Sequence, residues 1–324
     1  MKSRLATLII IQSVCCLLPL TAAAQSPTSR SATAAAYLDR GNGWYAKGEW
    51  ERAIADYTLA IASDPAYPEA FYNRACARYR RGELNGALAD FDRTIQLNPR
   101  YLEAYVDRGM ARAAAGNLDG SISDNTRAIE LNPRLAPAWH NRGLARRLKG
   151  DLTRSLADFD QALRLNPKYI AAWANRGVAR HLRRDYDGAI ADQTRAIELN
   201  PREAGTWTDR ALSRQAKGDP DGALADYNQA LRLDPRSADA WFKRATCWQL
   251  RSDWLRAEAD FTQAIELQPQ LADAYAGRGL VRLQSGRAEE AQQDFDRCLQ
   301  LNPNLQQALR RLIAEARQQM ARKR

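Results

Sequence analysis

The chain has 324 residues, 45% of them hydrophobic and 27% charged, with a formal net charge of +10. This composition excludes a disordered chain and a membrane-embedded one. The charge is concentrated: residues 136–169 carry +4, the tail from Gln306 carries +5, and the other 34-residue segments lie within two units of neutral. An even basic stripe is absent, so no nucleic-acid partner is expected.

Residues 1–24 read as a secretory signal peptide. Lys2 and Arg4 give the positive start, Leu5 to Leu20 is mostly apolar, and Ala22-Ala23-Ala24 supplies the small-residue cleavage pattern. The apolar run is 16 residues, short of the roughly 20 that cross a bilayer. The expectation is an exported chain, periplasmic or secreted, with no stable membrane insertion after cleavage. Gln12-Ser13-Val14 before Cys15 does not match a lipidation signal. Residues 25–33, rich in Ser, Thr and Ala, are expected to be a flexible lead-in. Beyond the leader remain Cys76, Cys247 and Cys298. Their odd number argues against a full disulfide framework. Cys298 stands in a column otherwise Ala or Thr and reads as a small buried hydrophobe.

A period governs the rest. Pro65, Pro99, Pro133, Pro167, Pro201, Pro235, Pro269 and Pro303 are each 34 residues apart. This spacing lays out eight repeats over 34–305: 34–67, 68–101, 102–135, 136–169, 170–203, 204–237, 238–271 and 272–305. Residues 306–324 follow as a basic capping helix, expected to bury Leu309, Leu312 and Ile313. Each repeat reads as two helices. In the second repeat the first helix runs from about Glu69 to Arg81 and stops at Gly82, suited to a left-handed C-terminal residue. Gly fills that column in six repeats; Arg184 and Ser252 depart from it. Asn117, Asp151, Asp185 and Asp219 are placed to cap the second helices, and the Leu-Asn-Pro ending stops them.

The apolar columns require the helices to pair. An aromatic opens every first helix (Tyr37, Phe71, Tyr105, Trp139, Trp173, Trp207, Trp241, Tyr275), and Gly or Ala follows four residues on. An aromatic faces that small residue from the second helix in six repeats. Asn125 and Gln193 replace it in two, where looser packing is expected. One repeat cannot hide such a stripe, so neighbours must stack.

These features resemble the tetratricopeptide repeat family over Ala34 to Leu305. The resemblance implies an all-α fold: a right-handed solenoid superhelix of eight helix pairs plus a C-terminal cap, with first helices lining the concave face. It also implies protein or peptide binding without chemistry.

Two columns are charged without exception: Arg40, Arg74, Arg108, Arg142, Arg176, Arg210, Arg244 and Arg278, and Asp56, Asp90, Asp124, Asp158, Asp192, Asp226, Asp260 and Asp294. An eightfold pattern is not a catalytic constellation, and the residues read as structural ion pairs, each Asp meeting an Arg of its own or the following repeat. There is no Gly-rich phosphate loop, nucleophile elbow, metal-ligand spacing or His-based triad. No catalytic residue, no metal and no cofactor is therefore expected.

On the groove side one column runs Asp39, Asn73, Asp107, Asn141, Asn175, Asp209, Lys243, Gly277. It resembles the asparagine ladder by which some superhelical family members hold an extended peptide backbone. An amide both donates and accepts, matching a peptide group. The aspartates among the first six favour a ligand carrying Lys or Arg. Tyr72, Tyr79, Met110, Leu144, Val178, Leu212 and Phe242 are expected to line the groove, with His140, Arg147 and His181 making its middle basic. The function expected is a non-catalytic protein- or peptide-binding scaffold of the cell envelope. The alternative is a structural subunit of an envelope assembly (secretion, polysaccharide export or outer-membrane machinery) docking by its convex face or basic tail.

Overall fold

The structure, a computed structural model, describes residues 32–323. The expected leader, with Cys15 and Cys16, lies outside the described residues, as does the lead-in up to residue 31. All regular structure among the described residues is helical. The helices are α1 (Ala32–Ala46), α2 (Trp50–Ser63), α3 (Pro68–Arg81), α4 (Leu84–Leu97), α5 (Leu102–Ala114), α6 (Leu118–Leu131), α7 (Ala136–Leu148), α8 (Leu152–Leu165), α9 (Ile170–Leu182), α10 (Tyr186–Leu199), α11 (Ala204–Lys217), α12 (Pro220–Leu233), α13 (Ala238–Leu250), α14 (Trp254–Leu267), α15 (Ala272–Gln284), α16 (Ala288–Leu301) and α17 (Gln306–Lys323). They fall into two compact units, one ending at Pro167 and one beginning at Lys168. Each unit contains four helix pairs in which consecutive helices pack antiparallel to one another, and the second carries α17 as well.

Local chemistry sets the helix ends. Gly82 and Gly218 close α3 and α11 in the left-handed region, at φ 88° and 92°. Arg184 and Ser252 take the same conformation, at φ 64° and 58°, although they carry a Cβ. The turn geometry therefore prevails over side-chain preference at both positions. Asn117, Asp151, Asp185, Asp219 and Asp253 each accept a first-turn amide of the following second helix. At the other end, the residue before proline is pushed to extended backbone. There the side chains of Asp64, Asn98, Asn132, Asn200, Asp234 and Asn302 accept the amide two residues on, at 3.0–3.2 Å.

Within a pair, close approach depends on the small column. A Cβ added at Gly279 would sit 2.5 Å from Phe295 Cε1, so only glycine admits this ring. In the two repeats without that aromatic, Asn125 and Gln193 are buried amides, 0% and 1% exposed, each with its oxygen unpaired. The Asn125 amide nitrogen donates to the Ser121 carbonyl. The cost there takes the form of an unsatisfied buried acceptor.

The Arg and Asp columns form a ladder inside each pair. Every Asp of the column is 2–5% exposed and is gripped by both arms of the Arg sixteen residues earlier, at 2.6–3.1 Å. Pairing is thus within the repeat; Arg40 holds Asp56, and Asp294 holds Arg278. That hydrogen bond from Arg40 depresses the Asp56 carboxyl below its ordinary pKa. Six aspartates take a second guanidinium, from Arg78, Arg112, Arg146, Arg180, Arg214 or Arg282. Each Arg of the column also lies over the aromatic three residues earlier, 4.6–5.6 Å from the ring centroid.

The third guanidinium nitrogen reaches back one repeat. Arg74, Arg142, Arg210 and Arg278 donate to Thr58, Thr126, Thr194 and Thr262, while Arg108 and Arg244 donate to Asp92 and Asn228. One side chain therefore joins two helices of its own repeat to the helix before it. This polar column, two residues past each Asp, was not singled out from the sequence. Its mixed Thr, Asp and Asn identities conceal a shared role as acceptor.

Candidate binding faces

In both units successive first helices touch, α1 to α3 to α5 to α7 and α9 to α11 to α13 to α15, while successive second helices make no comparable contact among the described residues. The first helices thus lie on the inner side of each unit. Their polar column and its apolar neighbours are the candidate binding surface.

In the first unit this column is uneven. Asp39 is exposed and Asn141 half-buried, but Asn73 and Asp107 are buried, 6% and 5% exposed. Asn73 donates to Asn42, whose side-chain oxygen also accepts the Tyr57 hydroxyl, at 2.8 and 2.9 Å. Tyr72 does not line a groove: it is 1% exposed, its ring packs on Phe91 and Tyr101, and its hydroxyl donates to Asp107 at 2.7 Å. Its position turns toward the next first helix, where a large ring seals the joint. His140 is likewise buried rather than solvated, packed on Phe159 with Nδ1 3.1 Å from Asn141 Oδ1. Tyr79, Met110, Leu144 and Arg147 remain half-buried.

In the second unit Asn175, Asp209 and Lys243 are all half-buried. Asn175 donates to the Ala171 carbonyl on its own helix, and Lys243 pairs with Asp239 at 2.6 Å. Burial, and then the positive charge of Lys243, hold the His181 pKa below its ordinary value. Its Nδ1 lies 3.1 Å from Ser213 Oγ. Val178, Leu212 and Phe242 are half-buried beside this column.

Among the described residues, no group of three or more His, Cys, Asp or Glu could hold a metal ion, and no helix is long and apolar enough to cross a membrane. Cys76, Cys247 and Cys298 are free and buried. Burial pushes the Cys247 and Cys298 thiols up to about 11.

The geometry agrees with family comparison. Four models of the tetratricopeptide repeat match, at 41–80 and 213–246, at 136–169 and 272–305, at 72–136, and at 170–203. The chain belongs to the tetratricopeptide repeat family. No curated protein matches it as a relative. Among solved structures it is similar to a tetratricopeptide repeat protein from Parabacteroides merdae, at 19% identity and TM-score 0.63, covering 77% of this chain and 98% of that one. It is also similar to a chain of the APC/C hetero-tetramer Cut9-Hcn1, at 15% identity and TM-score 0.64, covering 86% of this chain and 55% of that one. At these identities the likeness is one of fold.

Proposed function

We propose that the protein is a non-catalytic scaffold that captures a protein segment on the inner, first-helix face of its helix pairs. The observation that carries this reading is the chemistry of that face. In the first unit Asp39 and Asn141 reach solvent on the face that also carries half-buried Met110 and Leu144, and in the second Asp209 does so on the face that carries half-buried Val178 and Leu212. Such mixed surface suits a chain with alternating polar and apolar demands. The aspartates favour a segment bearing Lys or Arg. The leader-like N-terminal sequence supports action in the cell envelope after export. An intact mass with cleavage near Gln25 would support that placement, and a retained Met1 would remove it.

Asn73 and Asp107 are needed by the packing, so the test spares them. Asp39, Asn141 and Asp209 are replaced together by Ala. Binding is measured against a partner segment recovered from envelope extract and then synthesised. The triple variant should keep its helicity and lose severalfold in affinity per lost hydrogen bond, at about 1 kcal/mol each. Undiminished binding would remove the inner face as the site. A stoichiometric complex indifferent to these residues would instead favour a structural subunit of an envelope assembly.

A further inference from the structure

The eight repeats act as aligned copies of one unit, so a surface position where one repeat departs from the others is free of the demands of the fold. The seventh repeat departs at the loop between α13 and α14. Leu255 is 81% exposed and Leu250 70%, the two most exposed large apolar side chains among the described residues. At the position of Leu255 the other repeats carry Glu51, Asn85, Asp119, Thr153, Asp187, Asp221 and Glu289. The first repeat provides a control. It has the same tryptophan pair, Trp44 and Trp50, and the same arginine on the first ring, Arg52, matching Trp248, Trp254 and Arg256. Yet it carries Glu51 where the seventh has Leu255; the position of Leu250 is also Leu in the fourth and fifth repeats (Leu148, Leu182), so the departure is Leu255. The tryptophan packing therefore does not call for Leu255.

Beside Leu255 lies an open pocket of about 680 Å³, bounded by Trp254, Ser252, Ser285, Glu258 and Arg287 from the loops of the seventh and eighth repeats. We propose that this loop surface is a self-association face, covered by the same face of a second copy of this chain. Two features favour that occupant. A twofold contact places the same patch on both partners, so one patch must hold both a projecting group and its receptacle. Leu255 stands beside the pocket that a second Leu255 would enter. Such a patch must also hold both signs of charge, and here Arg251, Arg256 and Arg287 alternate with Asp221, Asp253 and Glu258. These charges stand as Arg–Asp and Arg–Glu pairs, so a partner of one sign would find no net charge here to complement. Because each copy carries net charge +10, salt that screens their repulsion should strengthen the contact.

The test is sedimentation equilibrium of the full chain at rising concentration and two salt levels. The wild type should be dimeric at about 100 µM and more so in high salt. Leu255→Asp should raise the dimer dissociation constant at least about tenfold. Five sister repeats carry an acid there, so the substitution is compatible with the fold; if its circular dichroism nonetheless changes, Leu255→Thr carries the test. Leu59→Asp, at a 43%-exposed leucine of the first unit, should leave the dimer intact. A monomeric wild type, a Leu255→Asp dimer as tight as wild type, or equal loss in Leu59→Asp would each overturn the proposal.

Discussion

Asp226 is 2% exposed, held by both arms of Arg210 and by Arg214, and Arg210 itself is 8% exposed. Removing one member of such a group leaves charge buried without a counterpart. Asp226→Asn should therefore cost about 3–5 kcal/mol, read as a lower denaturation midpoint. A loss under about 1 kcal/mol would mean that the ladder behaves as an exposed surface pair. His181 gives a second residue-level prediction. Its pKa is lowered by burial and by Lys243, with Ser213 and the Tyr186 ring beside it. The unfolded chain then binds the proton more readily than the folded one. The contribution of His181 to stability is full above pH 6.5, the unfolded value, and declines as pH falls below it toward the folded pKa. An NMR titration should place its midpoint below 6.5; a midpoint at or above that value would contradict the burial argument.

At the scale of the element, helix ends and the cap carry the predictions. Arg184 and Ser252 occupy left-handed backbone without being glycine. Ser252→Gly relieves that strain but adds freedom to the unfolded chain, so a net gain of about 0.5–1 kcal/mol is expected. Gly218→Ala should lose about 1 kcal/mol by the same reasoning, and thermal melts of both variants check the pair. The terminal helix α17 packs against α15 through Leu309, Ile313, Ala316 and Met320, in a cluster with Leu280, Leu283 and Phe295. Leu312, expected in that contact, is instead 36% exposed. At about 100° per residue Leu309, Ile313, Ala316 and Met320 fall within about 60° of one another around the helix, and Leu312 lies at the edge of that stripe, turned toward solvent. Deleting residues 306–324 should expose the Phe295 cluster and cause aggregation, measured by light scattering. A soluble, monomeric truncation of unchanged melting temperature would deny α17 its capping role.

At the scale of the molecule, contacts among the described residues link helices near in sequence. Stability is then a sum of repeat terms and neighbour terms. Asp226→Asn, in the sixth repeat, should lower amide exchange protection across α11, α12 and α13 while α1 to α6 keep theirs. Uniform loss along the chain would show cooperativity beyond the neighbouring repeats. The proposed capture face on the first helices and the proposed self-association face at the seventh-repeat loop use different residues. A Leu255→Asp monomer should therefore still bind the captured segment.

The sequence by itself determined the period, the helix count and the two charged columns that pair, because each follows from spacing; that each Asp meets the Arg of its own repeat was decided by the structure. Proline ends a helix wherever it stands, and an Arg and an Asp repeated at fixed separation must meet the same neighbours every time. What only the tertiary structure decided is which way single side chains turn at a joint. Tyr72 and Asn73 share a helix surface with solvated residues in the sequence pattern, yet both are buried: Tyr72 packs on Phe91 and Tyr101 and bonds Asp107 of the next first helix, and Asn73 bonds Asn42 of the preceding one. The Arg reaching back to Thr58 or Asn228 crosses a repeat boundary, and the acceptors share a function rather than an identity. The inner face is legible as a column of polar residues, but its solvent-facing members, Asp39, Asn141 and Asp209, are separated from its structural ones by burial. Burial depends on the neighbouring helix and not on periodicity.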